Sequence, residues 1–199
     1  MSGAFPISNA KFESLGIKSI QNTIISKSQS GKKLARQIDG QRFGFTARII
    51  TAKRSDVYGE LMAFIIKQRS GKENFTIIPP EVEDARGTAS GIPHGTASAG
   101  ATSITLGGTG TGTLKAGDFI KFANHDKIYM VVADQSDIST GSLTIEPPLT
   151  TAVSSSNITY DNVPFTVHLT NDMQEFGVVG ADKDGNALYQ YEFDVEEAL

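Results

Sequence analysis

The chain has 199 residues, of which 39% are apolar and 20 more are Gly; this is the globular share, and it argues against disorder, collagen and coiled coil while allowing one large domain or two small ones. It contains no cysteine, so disulfides, thiolate zinc sites and a cysteine nucleophile are ruled out. The formal charge of −4 conceals a polarity: 14 Lys+Arg face 8 Asp+Glu through Gly87, and 4 face 14 from Thr88 onward, for net charges of +6 and −10.

A basic half can serve nucleic-acid binding, or one subunit's basic face can pack head to tail on a neighbour's acidic face. Acids interspersed among the basic residues favour assembly. No apolar run approaches the roughly 18–20 residues that span a bilayer, and residues 1–6 lack the charged and apolar regions of a signal peptide. A soluble protein made in a cytoplasm is therefore expected.

In chain order, residues 1–30 are Ser-rich and read as extended arms or short edge strands. Residues 28–36, Ser-Gln-Ser-Gly-Lys-Lys-Leu-Ala-Arg, are basic and polar, and read as a solvated hairpin or an assembly loop in preference to a phosphate contact. Residues 43–50 alternate apolar and other side chains over most of their length, the period of a half-buried strand. A helix is expected over residues 55–70: Ser55 would cap it, Val57, Leu61, Phe64 and Ile65 form one apolar stripe, and Gly71 is placed for a C-cap. Residues 75–78 read as a strand stopped by Pro79 and Pro80.

Between Glu81 and Thr113 the composition shifts to Gly, Ala, Ser and Thr, which reads as linker and loop around one short strand at 102–106. Strands then follow at 118–122, 128–133 and 142–146 with tight turns between them, a pattern of small barrels or sandwiches. The chain closes with strands at 165–169 and 189–195, the last alternating aromatic and acidic faces.

No constellation of catalytic residues emerges. The run Gly107-Gly108-Thr109-Gly110-Thr111-Gly112 fits neither G-x-G-x-x-G nor a P-loop, and reads as a loop whose glycines relieve steric limits. His94, His125 and His168 lie in separate contexts and read as surface or turn residues, and the pairs Glu81/Glu83 and Glu196/Glu197 as solvated faces. No catalytic, metal or cofactor site is expected, and no enzymatic activity.

The order of motifs carries more than any one of them. A basic loop at Ser30 to Lys33 is followed by Gly40-Gln41-Arg42-Phe43-Gly44-Phe45-Thr46, a single helix, Gln68-Arg69-Ser70-Gly71, and Phe75-Thr76-Ile77-Ile78-Pro79-Pro80. The strand pair Leu114-Lys115-Ala116-Gly117-Asp118-Phe119-Ile120-Lys121-Phe122 and Ile128-Tyr129-Met130-Val131-Val132 comes next. This order resembles virion structural proteins of tailed bacteriophages, in particular distal tail or baseplate proteins of the minor-tail type. Phe43 stands where the pattern would have Trp, and the basic loop has lysines where arginines are commoner.

The resemblance implies a mainly β (α+β) fold: a β-sandwich with one packed α-helix from residues 1–93 and 161–199, and an inserted small β-barrel from 94–160. It implies a ring, commonly sixfold, at the distal tail or baseplate of the virion, stacked on tail-tube and hub proteins. DNA would pass through the ring without specific binding. Lys32, Lys33, Arg36 and Arg42 are the expected assembly residues. Asp172, Glu175, Asp182 and Asp184 are expected to face the channel, where acidic side chains repel phosphates. β-Augmentation by the N-terminal segment is expected to contribute to assembly. The alternatives are another virion ring component, such as a tail tube, tail terminator or neck subunit, and a carbohydrate-binding module that reads a host surface through residues 95–160.

Overall fold

The computed structural model describes residues 3–7 and 11–199, apart from the side chains of Gln37 and Asp39. It is mostly β, with one α-helix, one open sheet and one closed barrel. The open sheet begins with β1 (Phe12–Lys27) and β2 (Lys33–Lys53), a long antiparallel hairpin. Only the second half of β2 continues into the sheet. There Phe43, Phe45, Ala47 and Ile49 alternate inward, as their period-2 spacing predicts.

After β2 the chain makes one wide helical turn, Arg54–Tyr58, and then α1 (Gly59–Lys67). The predicted stripe is buried: Val57, Leu61 and Ile65 face the sheet, with Phe64 half-buried against Phe75. The caps differ from expectation. The helical segment starts one residue earlier than predicted, with extended Lys53 at its entry, and the Ser55 hydroxyl donates to Asp56 instead of capping a backbone amide. At the far end Arg69 and Ser70 take the left-handed conformation themselves, so Gly71 does not act as the cap. Gly71 is needed for another reason: a Cβ there would sit 2.6 Å from the Leu169 carbonyl oxygen.

β3 (Phe75–Ile77) leads to the barrel, whose strands are β4 (Pro93–Ala97), β5 (Ser103–Gly108), β6 (Phe119–Phe122), β7 (Ile128–Val131), β8 (Ser142–Glu146) and β9 (Val153–Thr159). They close in the order β4-β5-β8-β7-β6-β9 around Ile104, Leu114, Ile120, Phe122, Tyr129, Leu143 and Ile145. The stretch read as linker thus contains β4, whose Pro-His-Gly-Thr-Ala sequence has no large apolar alternation to reveal it. The glycine run is not a free loop either: Thr109 donates to Ile92, and Ser90 and Thr111 bond reciprocally through their backbones. Gly112, at φ +87°, approaches Thr88 so closely that a Cβ would lie 2.1 Å from the Thr88 oxygen. Gly112→Ala is expected to cost roughly 2–4 kcal/mol in chemical denaturation, from a strained φ plus a backbone clash. A midpoint unchanged from the parent would show that this strap does not close the barrel.

The chain returns to the sheet through β10 (Phe165–Leu169), β11 (Gly177–Ala181) and β12 (Ala187–Glu197). The order is β1-β2-β12-β10-β3, with β11 paired on the first half of β12. The chain enters and leaves the barrel side by side, since the amides of Asn162 and Val163 donate to the carbonyls of Glu83 and Val82.

The N-terminal segment behaves differently from the expectation that it augments a neighbour's sheet. Residues 3–5 pair with Thr76 of β3 in their own chain, and the Phe5 ring packs on Phe12, Phe64, Phe75 and Phe193 at 5.4–6.1 Å between centroids. Removing this segment would therefore open the subunit's own core. Residues 1, 2 and 8–10 lie outside the described residues.

Sheet and barrel share a core. Phe119, Ile128 and Met130 of the barrel pack into the sheet's apolar cluster, with Phe119 edge-on to Phe43 and Phe165 at 5.3 and 5.7 Å. At this junction Glu197 is fully buried and not on a solvated face: its position matches the inward parity of Tyr191, Phe193 and Val195. Its carboxylate accepts from the Phe43 amide at 3.1 Å and the Ile128 amide at 2.7 Å, and it pairs with the buried ammonium of Lys127. Lys127 also donates to Gln41 at 3.2 Å and lies over the Phe43 ring. Burial pulls the Lys127 pKa below its usual range, and the Glu197 charge opposes that pull.

Candidate assembly interface

The distal part of the β1–β2 hairpin is exposed along its length. Beyond Arg42, β2 pairs among the described residues only with β1, so residues 21–40 form a two-stranded arm whose outer edges no described strand pairs. Its tip is the turn at 28–32, where Ser28 donates its amide to the Lys32 carbonyl and its hydroxyl oxygen accepts from the Lys32 amide. Register assigns the faces. Ile24 sits opposite Arg36, Asn22 opposite Ile38 and Ser26 opposite Leu34, so Ile24, Leu34 and Ile38 share one face as diagonal neighbours. Ile25, Ala35, Lys27 and Lys33 share the other. Ile24, Ile25, Leu34 and Ile38 are 45–57% exposed.

Lys32, Lys33, Arg36 and Arg42, the residues expected at an assembly interface, all lie on this hairpin. Lys32, Lys33 and Arg36 are exposed on the arm, with no ion pair to any described residue. Arg42 stands at the base, tied to Glu196 at 2.9 Å within the subunit.

Asp172, Glu175, Asp182 and Asp184 gather around β11 and its flanking turns. The Asp182 carboxylate pairs with Lys53 and accepts from the side chain and amide of Asn186 and the amide of Asp184, which together hold it far below the usual carboxylate range. Asp184 pairs with exposed Lys183 at 3.0 Å, while Asp172 and Glu175 are exposed. Between them Met173, Val178 and Val179 are 53–82% exposed, and among the described strands β11 is hydrogen-bonded to β12 alone. This apolar edge leaves no periodic signal in the sequence, because Gly-Val-Val-Gly-Ala is too short and too glycine-rich to show one.

His125 serves local structure. His125 stacks on Phe122 and shares a 2.8 Å hydrogen bond with the Tyr129 hydroxyl; burial lowers its pKa. Asp118, buried, accepts from the Arg86 and Lys115 amides and so holds a turn. Among the described residues no group of three His, Cys, Asp or Glu gathers to hold a metal, and no helix is long and apolar enough to cross a membrane. The barrel's strand aromatics are interior: Phe122 and Tyr129 are fully buried, and Phe119 packs on the sheet.

Residues 84–163, the barrel with the segments that lead into and out of it, match the family model described as distal tail protein pb9, B domain. The chain carries a phage distal tail protein domain. A distal tail domain gives the chain a structural part in a phage tail, and with it a place in the virion. No curated protein matches the chain significantly.

Proposed function

We propose that this protein is a ring-forming subunit of the distal tail, assembled from about six copies around the DNA path and stacked between the tail tube and the baseplate. The reading divides the chain into a tail-ring domain, residues 1–93 and 161–199, and an inserted barrel at 94–160 that decorates the ring. The hairpin arm is the observation that carries it. A two-stranded ribbon alone in water is marginally stable, and this one presents four large aliphatic side chains to solvent along about 20 residues. Such an arm makes sense when a neighbour covers it. A ring is a heterologous assembly that closes by rotation, and it needs two different complementary surfaces on each subunit.

Light scattering of the purified protein, with negative-stain images, tests this reading. The expected result is a closed ring with a mass of about six subunits that loosens at high salt, because screening weakens exposed charge pairs. An open filament that lengthens with concentration would favour the tail-tube alternative. The carbohydrate-binding alternative has less support, since Phe122 and Tyr129 are buried and offer a sugar no ring to stack on.

A further inference from the structure

Resting on the ring reading, the geometry points to a specific seam: we infer that the basic arm, residues 21–40, of one copy docks on the acidic outer edge of β11 of the next copy and extends that copy's sheet. Three observations converge. The first is backbone chemistry. The arm has free strand edges, and β11 offers a row of amides and carbonyls that no described strand pairs, so β-augmentation would satisfy both. The second is apolar surface. Ile24, Leu34 and Ile38 form a stripe on one face of the arm, and Met173, Val178 and Val179 stand exposed at the receiving edge.

The third is charge. The arm carries Lys27, Lys32, Lys33 and Arg36 against Asp39, a net of +3. Residues 171–186 carry Asp172, Glu175, Asp182 and Asp184 against Lys183, a net of −3. Opposite charges of equal size set register and partner choice, even where each exposed pair adds little affinity.

Topology makes the contact intermolecular. Val178 pairs with Tyr189, and Tyr189 with Ala52 near the end of β2. Ile38 lies near the start of the same strand, roughly 40 Å away along it. The two surfaces therefore stand at opposite ends of one sheet, and the paired strands between them hold the arm away from its own edge. This is the disposition a head-to-tail ring requires. It takes Asp172, Glu175 and Asp184 from the channel wall to the seam between subunits.

Charge-swap complementation tests the seam. One variant reverses the arm (Lys32→Glu, Lys33→Glu, Arg36→Glu) and another reverses the edge (Asp172→Lys, Glu175→Lys, Asp184→Lys). All six side chains are exposed, so circular dichroism and thermal midpoints should match the parent. Each variant alone is expected to need a concentration on the order of a hundredfold higher to assemble, since attraction at three positions becomes repulsion. An equimolar mixture is expected to restore assembly, because each variant's arm then meets the other's complementary edge. If a triple variant misfolds, the single swaps Lys33→Glu and Asp184→Lys carry the same test with a smaller loss. A parent that assembles while the mixture fails to recover would overturn the seam and leave the ring reading standing. A parent that stays monomeric at every concentration would overturn both.

Discussion

Replacing Glu197 by alanine is expected to lower stability by about 3–5 kcal/mol, the cost of leaving one partner of a buried ion pair uncompensated. For a chain of this length that corresponds to a fall in melting temperature on the order of 10 °C. The loss has three parts that act together. The Lys127 ammonium, 2% exposed at its side chain, loses its counter-charge, and the amides of Phe43 and Ile128 lose their acceptor. Those amides belong to the sheet and to the barrel, so one carboxylate fixes how the two pack. Glu197→Gln should cost less, because an amide oxygen still accepts one of the bonds. Pairing Glu197→Gln with Lys127→Met should cost less than the sum of the two single changes, because the buried charge goes with its partner. Calorimetry on the parent and the four variants measures this. A melting temperature for Glu197→Ala within about 2 °C of the parent would show that the junction is held by apolar contact alone.

Shortening the hairpin has the opposite signature. Deleting residues 22–39 and closing β1 on β2 with a two-residue Asn-Gly turn is expected to leave the melting temperature within about 2 °C of the parent. The reason is that residues 21–27 and 29–36 are exposed and the sheet's core begins at Phe43. Assembly should be lost. A large drop in stability with assembly intact would mean that the arm supports the subunit and not its neighbour. Hydrogen exchange gives a second reading: arm amides should exchange fast in the free subunit and slow on assembly, while those of β2 beyond Phe43 stay protected in both.

The two expectations differ in how far they were visible in the sequence. Strands with a clean alternation, such as residues 43–50, 142–146 and 189–195, were legible because one face of each is buried. The helical stripe Val57, Leu61 and Ile65 was legible for the same reason. β4, β9 and β11 were not, because Gly, Ser, Thr and Ala make up much of these short strands and leave too few large apolar residues at alternate positions to mark a period. The barrel closes through backbone bonds and tight glycine contacts that leave no hydropathy trace. The basic segment 28–36 forms the hairpin that its polar composition suggests, but the reach of that hairpin is hidden, since Ile24, Ile25, Leu34 and Ile38 look like core residues until pairing shows no described layer above them. The charge of Glu197 suggests a solvated face, although its parity with Tyr191, Phe193 and Val195 points inward. Composition correctly registered the polarity of the chain, but only the fold shows that +3 and −3 fall at opposite ends of one sheet.

Sedimentation velocity of the parent and the arm-shortened chain, run side by side over a range of concentrations at low salt, tests the central claim most directly. The parent is expected to sediment as a closed oligomer of about six subunits and the shortened chain as a folded monomer. Equal oligomer masses for the two proteins would contradict the claim that the arm builds the ring.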